Sequence, residues 1–594
     1  MLRRQKEIRQ EFENWLKHVK NVPEHFEYLK AMEKDKKAIT DAFYKDLEFG
    51  TGGLRGIMGI GTNRVNVYTI SRISRGVAAY IQKHFAGDKQ SVAISYDSRI
   101  NSKLFAERTA EILCSEGIKV FIYRDLMPTP MLSWAVRQLN CSAGIMITAS
   151  HNAMEYNGYK VYGSDGCQIT NDDAKEILEE IHSFDFFCES KVTFENGIKL
   201  TDIVFIETDV IDSFFEAVKQ QSLSKAEENE TYQRLSIVYT PLNGTGNYPI
   251  RHILKECGFQ KVFVVPEQEL PDGKFPTCPV PNPEEEKALE LGVQYAKRCS
   301  ADILIATDPD CDRVGVAAPK LDGSYRTLSG NEIGVLLLNY ICKKRLENGI
   351  MPSKPVFMKS VVTTELAERI AEHYGIKTIN LLTGFKYIGK QIGRLEQDGH
   401  KGDFLFGFEE SHGYLSGDYV RDKDGVGAAL LICEMAAYYK GKRKTLLEVL
   451  DEIYEEYGYC LNALRAYQFE GEEGAKRMHE IMENIRKACK SFSEANKKNG
   501  NDYVKWLEEC GVSYIEDYYA QRRFEMNRWS RMNIEVPITN MVKLGLQKGG
   551  SIILRPSGTE PKMKVYLSIW ACSYNEAIKL KREKIALIDK ICTY

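Results

Sequence analysis

Short buried-type runs, polar loops and amphipathic stretches succeed one another along this chain in a repeating order. Three segments, 91–123, 234–265 and 354–382, share it. Each opens on an apolar run suited to a strand: Val92–Tyr96, Leu235–Tyr239 or Val356–Met358. A polar loop follows (Asp97-Ser98-Arg99, Pro241 to Gly246, or Val362-Thr363-Thr364), then a helical period that stops at Gly117, Gly258 or Gly375. A second apolar run begins about three residues later. A glycine just past a helix, feeding a new strand, is the signature of a parallel β–α–β unit. The spacing is too wide for a solenoid, so the pattern predicts three similar α/β domains in tandem.

The flanks differ. Residues 1–48 carry Ile8, Phe12, Trp15 and Leu16 at helical spacing, interrupted at Pro23. The run from about 456 to 530 is charged, Tyr-rich and helical in pattern. Ser551 to Trp570 reads as strand, loop and strand before a terminal helix, a fourth and different domain. The expected boundaries are 1–225, 226–328, 329–455 and 456–594.

Composition narrows the class. With 594 residues, 43% hydrophobic and 27% charged, the chain is globular and multidomain. A formal charge of -3 gives no global pull toward nucleic acid or anionic membrane, so cationic charge for an anionic ligand has to be local. The 15 cysteines form no CxxC pair, which favours reduced thiols over a disulfide framework or a zinc site. The start is polar and lacks a signal-type apolar region, and the most apolar stretch, Gly425 to Tyr439, is short and carries Glu434. A cytoplasmic protein is expected.

Four loops carry chemistry. The apolar run Ala143–Ile147 breaks into Thr148-Ala-Ser-His-Asn152, which places hydroxyl, imidazole and amide at the rim of a sheet, although turn residues serve an ordinary strand exit too. The run Ala301–Thr307 feeds Asp308-Pro-Asp-Cys-Asp-Arg313. Three carboxylates this close repel unless a cation holds them. A hard cation with oxygen ligands fits, an EF-hand does not, and an aspartyl nucleophile is a second reading. Glu409 and Ser411, bounded by Gly407 and Gly413, suit vicinal sugar hydroxyls. Arg555-Pro-Ser-Gly-Thr559 offers a guanidinium, hydroxyls and backbone amides to a phosphate, or forms a plain hairpin turn. The glycine-rich run Phe49 to Gly56, with Arg55, is a weaker anion-binding signal.

Taken together and in order, these four loops resemble those of the α-D-phosphohexomutase superfamily. The context Leu47 to Arg55, Thr383-Gly-Phe-Lys386 and Asp422-Lys-Asp-Gly425 is most similar to its phosphoglucomutase/phosphopentomutase branch. The resemblance implies three mixed-sheet α/β domains and a smaller C-terminal α+β domain around a central cleft. It implies that Ser150 carries a phosphoryl group and that Mg²⁺ is held by that phosphoserine with Asp308, Asp310 and Asp312. Lys160 matches the family's Asn-Gly-x-Lys position and is the candidate general acid/base, with His151 and Arg55 assisting. Arg313, Thr383, Gly384, Lys386, Glu409, Ser411, Arg555, Ser557, Gly558 and Thr559 are the implied substrate-binding residues. Cys311 has no assignable role, and His412 reads as structural. The implied activity interconverts glucose 1-phosphate and glucose 6-phosphate through glucose 1,6-bisphosphate, with phosphopentomutase or phosphomannomutase activity and a metal-dependent sugar phosphatase as alternatives. Expected partners are sugar phosphates alone, in a monomer or homodimer.

Overall fold

Why the repeats end where they do is visible in their helix stops. Helices Ser102–Ser115, Asn247–Glu256 and Leu366–His373 each run into a glycine with left-handed backbone: Gly117 (φ +81°), Gly258 (φ +92°) and Gly375 (φ +67°). In each, the residue after the glycine donates back to a carbonyl of the last turn, as Ile118 N does to Leu113 O at 3.0 Å, Phe259 N to Leu254 O at 2.9 Å and Ile376 N to Ala371 O at 2.8 Å. Orphan carbonyls are thereby satisfied and the chain is turned into the next strand. The computed structural model describes residues 4–49, 53–87, 90–224, 229–469, 471–493, 502–525, 528–531, 537–557 and 562–593.

The first sheet contains β1 (Gly53–Ile57), β2 (Ser91–Tyr96), β3 (Lys119–Ile122), β4 (Ala143–Ile147), β5 (Tyr156–Gly163) and β6 (Ile203–Phe205), in the order β1-β5-β4-β2-β3-β6. Its β2, β3, β4 and β6 are parallel, while β5 returns antiparallel to β4 and pairs with β1. The second sheet repeats this plan with β7 (Ser236–Thr240), β8 (Lys261–Val264), β9 (Ile303–Thr307), β10 (Val314–Pro319) and β11 (Tyr325–Leu328). Here β7 is parallel to β8 and β9, and β10 returns antiparallel to β9. The third repeat supplies a parallel pair, β12 (Val356–Ser360) with β13 (Lys377–Leu381), and an antiparallel hairpin, β14 (Phe404–Glu409) with β15 (Gly413–Ser416).

Contacts divide the chain into two units. The first comprises 1–333, 343–355 and 385–446; the second comprises 334–342, 356–384 and 447–594. In the first, helices Gln5–His18, Pro23–Met32 and Lys36–Phe43 bury Phe12, Trp15 and Phe43 in a small aromatic core of their own. The β-sheet cores of the first two repeats lie in this unit as well. The apolar helix Gly425–Gly441 is buried along nearly its whole length, and Glu434 within it is satisfied by Ser222 Oγ and by Leu223 N at 3.0 Å. Among the described residues no helix is long and apolar enough to cross a membrane.

In the second unit, β16 (Tyr459–Gln468), β17 (Val512–Asp517), β18 (Arg522–Glu525), β19 (Arg528–Arg531), β20 (Val542–Leu546), β21 (Gly550–Pro556) and β22 (Lys562–Ala571) form a seven-stranded sheet ordered β16-β22-β21-β20-β17-β18-β19. All of its pairings are antiparallel. The helical expectation for 456–530 therefore holds only in part. Helices Gly471–Ser493 and Asp502–Glu509 are there, but β16 to β19 are strands. Leu, Ala and Arg in Tyr459–Gln468 favour a helix locally, and continuous pairing with β22 overrides that preference.

Within this unit, helix Leu366–His373 is tied to the sheet by charged groups. Glu365, just before the helix, accepts from Ser551 Oγ at 2.9 Å and Trp570 Nε1 at 3.2 Å, with Lys543 Nζ at 3.5 Å. One turn on, Arg369 stacks on the Trp570 ring at 3.8 Å, and Glu368 pairs with buried Lys359 at 2.8 Å.

Candidate active site

The chain's candidate chemistry collects where strands leave a sheet and return antiparallel. Residues 148–155 join β4 to β5, 308–313 join β9 to β10, and 410–412 join β14 to β15. Each turn contains a non-glycine residue in the left-handed region: Ser150 (φ +52°), Cys311 (φ +50°) and His412 (φ +63°). Such a backbone costs about 1–3 kcal/mol and persists only where its surroundings over-determine it.

For Ser150 those surroundings are Asp97 and Arg99. Asp97 follows β2, the neighbour of β4, and accepts from Thr148 Oγ1 at 2.6 Å and Ser102 Oγ at 2.6 Å. Thr148 Oγ1 in turn accepts from Ser150 N at 2.7 Å. Arg99, buried beside Asp97, donates to the carbonyls of Ser150 (2.6 Å), Ala153 (2.8 Å), Tyr156 (3.0 Å) and Asn152. The serine is 1% exposed, and its Oγ donates to Asp308 Oδ2 at 2.8 Å, with His151 Nδ1 at 3.2 Å.

The aspartate loop is equally fixed. Asp308 Oδ1 accepts from the backbone of Asp312 and Arg313, both at 3.1 Å, which wraps the loop around that carboxylate. Asp310 Oδ2 accepts from Lys160 Nζ at 2.6 Å and from Thr129 Oγ1 at 3.1 Å. Asp312 Oδ2 faces Lys423 Nζ at 3.1 Å and Lys160 Nζ at 3.5 Å. Cys311 packs fully buried at the turn, and its carbonyl accepts from Gly425 N at 3.1 Å. That gives the cysteine the structural role its sequence context left open.

One carboxylate oxygen from each aspartate lies within 4.8 Å of the others. Asp310 Oδ1 and Asp312 Oδ1 are sealed from solvent without a hydrogen-bond partner among the described residues. The cations touching the cluster are shared: Lys423 also pairs with Asp422 at 2.9 Å and Arg313 with Glu284. Burial, reinforced by Asp310 and Asp312, pushes Asp308 well above the carboxylate range. Burial also disfavours ionised Asp312, but Lys423 and Lys160 win and hold it below that range. Orphaned oxygens, surplus carboxylates and an all-oxygen donor set fit a hard divalent cation.

The remaining candidates divide by place. Arg55, on β1 opposite Gly158, donates to Asn152 Oδ1 at 3.0 Å. His151 is pushed well below its usual range by burial, then by Arg313 and Arg55, so the imidazole is neutral. Glu409 is buried at the end of β14, and its charge helps raise the pKa of Lys423; Ser411 is half-buried in the turn that follows. His412 locks this turn to the aspartate loop, its carbonyl accepting from Val314 N at 3.0 Å. Lys386, in helix Phe385–Gln397, donates to Asn171 Oδ1 at 2.7 Å, and burial lowers its pKa to about 8. Thr383 and Gly384 end a segment of the second unit, Thr383 with a buried Oγ1 that has no hydrogen-bond partner among the described residues. Arg555 and Ser557 belong to that unit too, on the hairpin where Arg555 pairs with Lys564 and Ser557 N donates to Lys562 O at 2.8 Å. Gly558 and Thr559, like Gly50, Thr51 and Gly52, lie outside the described residues.

Three residues escaped the sequence reading. Lys423 stood in a quoted motif without a role, and Asp97 with Arg99 stood in the polar loop of the first repeat. Their signal was position, since a loop that follows a parallel strand abuts the neighbouring strand's exit.

A serine aimed at a buried carboxylate cluster, on a tandem α/β scaffold, has a geometry suited to phosphoryl transfer. Three models of phosphoglucomutase/phosphomannomutase α/β/α domains match the chain, domain I over residues 46–187, domain II over 212–323 and domain III over 329–457, so the chain belongs to that family. A phosphoglucomutase of Staphylococcus haemolyticus is 37% identical over 527 residues, 89% of this chain and 91% of the relative. One from Staphylococcus aureus is 35% identical over 542 residues, 90% and 92% of the two chains. In fold, the chain is similar to the open form of parafusin, a phosphoglucomutase from Paramecium (TM-score 0.69, 17% identity, 93% and 97% covered). It is also similar to a putative phosphomannomutase from Thermus thermophilus (TM-score 0.64, 20% identity, 92% and 99% covered).

Proposed function

We propose that this protein is a cytoplasmic isomerase that interconverts glucose 1-phosphate and glucose 6-phosphate by way of a phosphorylated Ser150 and glucose 1,6-bisphosphate. The observation that carries the reading is the 2.8 Å hydrogen bond from Ser150 Oγ to Asp308 within the buried three-aspartate cluster. The phosphoglucomutases 34–37% identical to this chain support the hexose assignment.

Asp308, Asp310 and Asp312, with the phosphorylated Ser150, would hold Mg²⁺, which when bound supplies Lewis-acid polarisation of the phosphoryl oxygens. The chain's own residues do the rest. In the first half-reaction the bond between phosphorus and Ser150 Oγ breaks, and one forms between phosphorus and the free hydroxyl of the hexose phosphate. Lys160 gives the proton that Oγ gains and takes the one the hydroxyl loses, so the step is proton-neutral. Neutral His151 orients Oγ, and Arg55 and Arg313 face the transferring phosphoryl group. Glu409 and Ser411 read ring hydroxyls, with Lys386, Thr383 and Gly384 near the sugar. Arg555, Ser557, Gly558 and Thr559 cradle the phosphate that does not react. After the bisphosphate turns around, the same steps run in reverse and return its other phosphate to Ser150.

A coupled assay tests this reading. It compares glucose, mannose and ribose 1-phosphates at matched concentration with catalytic glucose 1,6-bisphosphate. Glucose 1-phosphate turns over fastest if the reading holds; a tenfold preference for ribose 1-phosphate, about 1.4 kcal/mol in the barrier, overturns the substrate assignment.

A further inference from the structure

The loop 270–278, beyond β8, leaves the second α/β domain and packs on the first. Its Gly273 forms an isolated parallel bridge with Arg99, so close that a Cβ there would stand 2.4 Å from Ile100 N and 2.8 Å from Ser98 O. Two residues on, Phe275 is fully buried with left-handed backbone (φ +44°). The Arg99 guanidinium lies over its ring, 5.2 Å from the centre. A bulky residue keeps such a backbone only where its surroundings over-determine it. Here Phe275 N donates to Asp272 O at 3.1 Å, and Phe275 O accepts from Cys278 N at 3.0 Å.

Arg99 is where this loop meets the chemistry. Its guanidinium gathers the carbonyls of Ser150, Asn152, Ala153 and Tyr156, the whole turn from β4 to β5, while its Nε faces Asp97 at 3.3 Å. At its other end the loop is tied to the aspartates. Asp272 N donates to Asn243 O at 3.2 Å, and Thr245 N, two residues beyond Asn243, donates to Pro309 O at 2.9 Å. Pro309 directly follows Asp308. One loop therefore braces both sides of the 2.8 Å contact between Ser150 Oγ and Asp308, although the two belong to different domains.

We propose that Phe275 is a positioning residue for phosphoryl transfer, fixing the Arg99 guanidinium and with it the turn that aims Ser150 Oγ at Asp308. Its effect on turnover rests on the mutase reading; its effect on the turn rests on geometry alone. Transfer needs its reacting groups held to within about 0.5 Å, so a loosened turn costs kcat and spares sugar-phosphate binding.

Hydrogen exchange on the full chain reads the turn directly. The amides of Ser150, Asn152 and Tyr156 donate to Thr148 Oγ1, Ala149 O and Ala153 O at 2.7, 3.2 and 3.1 Å. Phe275→Leu keeps an apolar side chain and removes the ring, and it speeds exchange in 148–156 about tenfold more than in β7. Gly273→Ala, which presses a methyl against Ile100 N, does the same. Thr277→Ala, in the same loop but bonded to Gln268 Nε2 at 3.0 Å, has no such selective effect. In turnover, Phe275→Leu lowers kcat about tenfold or more with KM for glucose 1-phosphate within about twofold, and adds nothing in an Arg99→Lys background. Exchange that rises no more in the turn than in β7 in either folded variant, a selective rise in Thr277→Ala, an unchanged kcat, or a full effect in the Arg99→Lys background overturns the positioning role. A wild type that turns over no sugar phosphate overturns the mutase reading instead, and the exchange result still decides whether Phe275 holds the turn.

Discussion

Two charge clusters in this protein, one half-buried and one fully buried, are built from similar groups and end in opposite balance. Around Glu365 in the second unit, both carboxylate oxygens are used, by Ser551, Trp570 and Lys543, and the nearby Glu368 has its own lysine. Around Asp308, Asp310 and Asp312 in the first unit, two of the three cations that touch them, Lys423 and Arg313, are shared with Asp422 and Glu284, and two oxygens stay buried without a hydrogen-bond partner among the described residues. The first cluster is closed and tethers a helix to a sheet. The second is open, and what it lacks is positive charge and oxygen-seeking coordination. A charge cluster by itself does not distinguish a joint from a site suited to a cation; its completeness does.

Ser150→Ala gives the largest contrast. Turnover of glucose 1-phosphate falls at least about 10⁴-fold, about 5.5 kcal/mol, because the proposed phosphate carrier is gone. The melting temperature stays that of the wild type, since Asp308 keeps its backbone donors. Next, Glu365→Ala lowers stability by about 1–3 kcal/mol in urea unfolding, as expected when the half-buried acceptor of Ser551, Trp570 and Lys543 is removed. A loss of stability below about 1 kcal/mol would mean that the tether is idle. Asp308→Asn should do the reverse. Activity drops at least about 100-fold and Mn²⁺ binding in equilibrium dialysis is lost, while in EDTA the variant is as stable as wild type or more so, because a penalised charge has been removed. Destabilisation in EDTA would show that the aspartate cluster is closed like the Glu365 cluster.

The smallest effect concerns Lys386. Its folded pKa, about 8, lies below the ordinary 10.5, chiefly through burial. Between those values the unfolded chain binds more protons, so stability rises with pH across that window. Its positive charge in the folded protein disappears as the pH passes through about 8, and KM for glucose 1-phosphate should climb severalfold from pH 7 to 9. Lys386→Arg should flatten that rise, and an unaltered pH profile of KM in this variant would remove Lys386 from the substrate site.

The fold was legible wherever local and tertiary demands agree. The glycine stops at Gly117, Gly258 and Gly375 marked three units because a left-handed cap leaves a sequence trace. Residues 459–468 left none, since a strand made by pairing with β22 needs no strand-favouring residues. In the site, Asp308, Asp310 and Asp312 announced themselves by spacing along one loop. Arg99 and Lys423 did not, because each acts on a loop far from it in the chain, and sequence distance hides that contact.

The sequence by itself determined which residues are candidates for the chemistry: a serine at a strand exit, three alternating carboxylates, and an arginine–serine–glycine–threonine loop. Local chemistry of this kind is written in composition and spacing. Tertiary structure alone decided their state. Packing of β4 beside β2 sets Asp97 and Arg99 against the serine loop and forces its backbone left-handed, and the approach of Lys160 and Lys423 lowers one aspartate's pKa while burial raises another's. The reason is physical: burial and distance govern charge, and both exist only once the chain has folded.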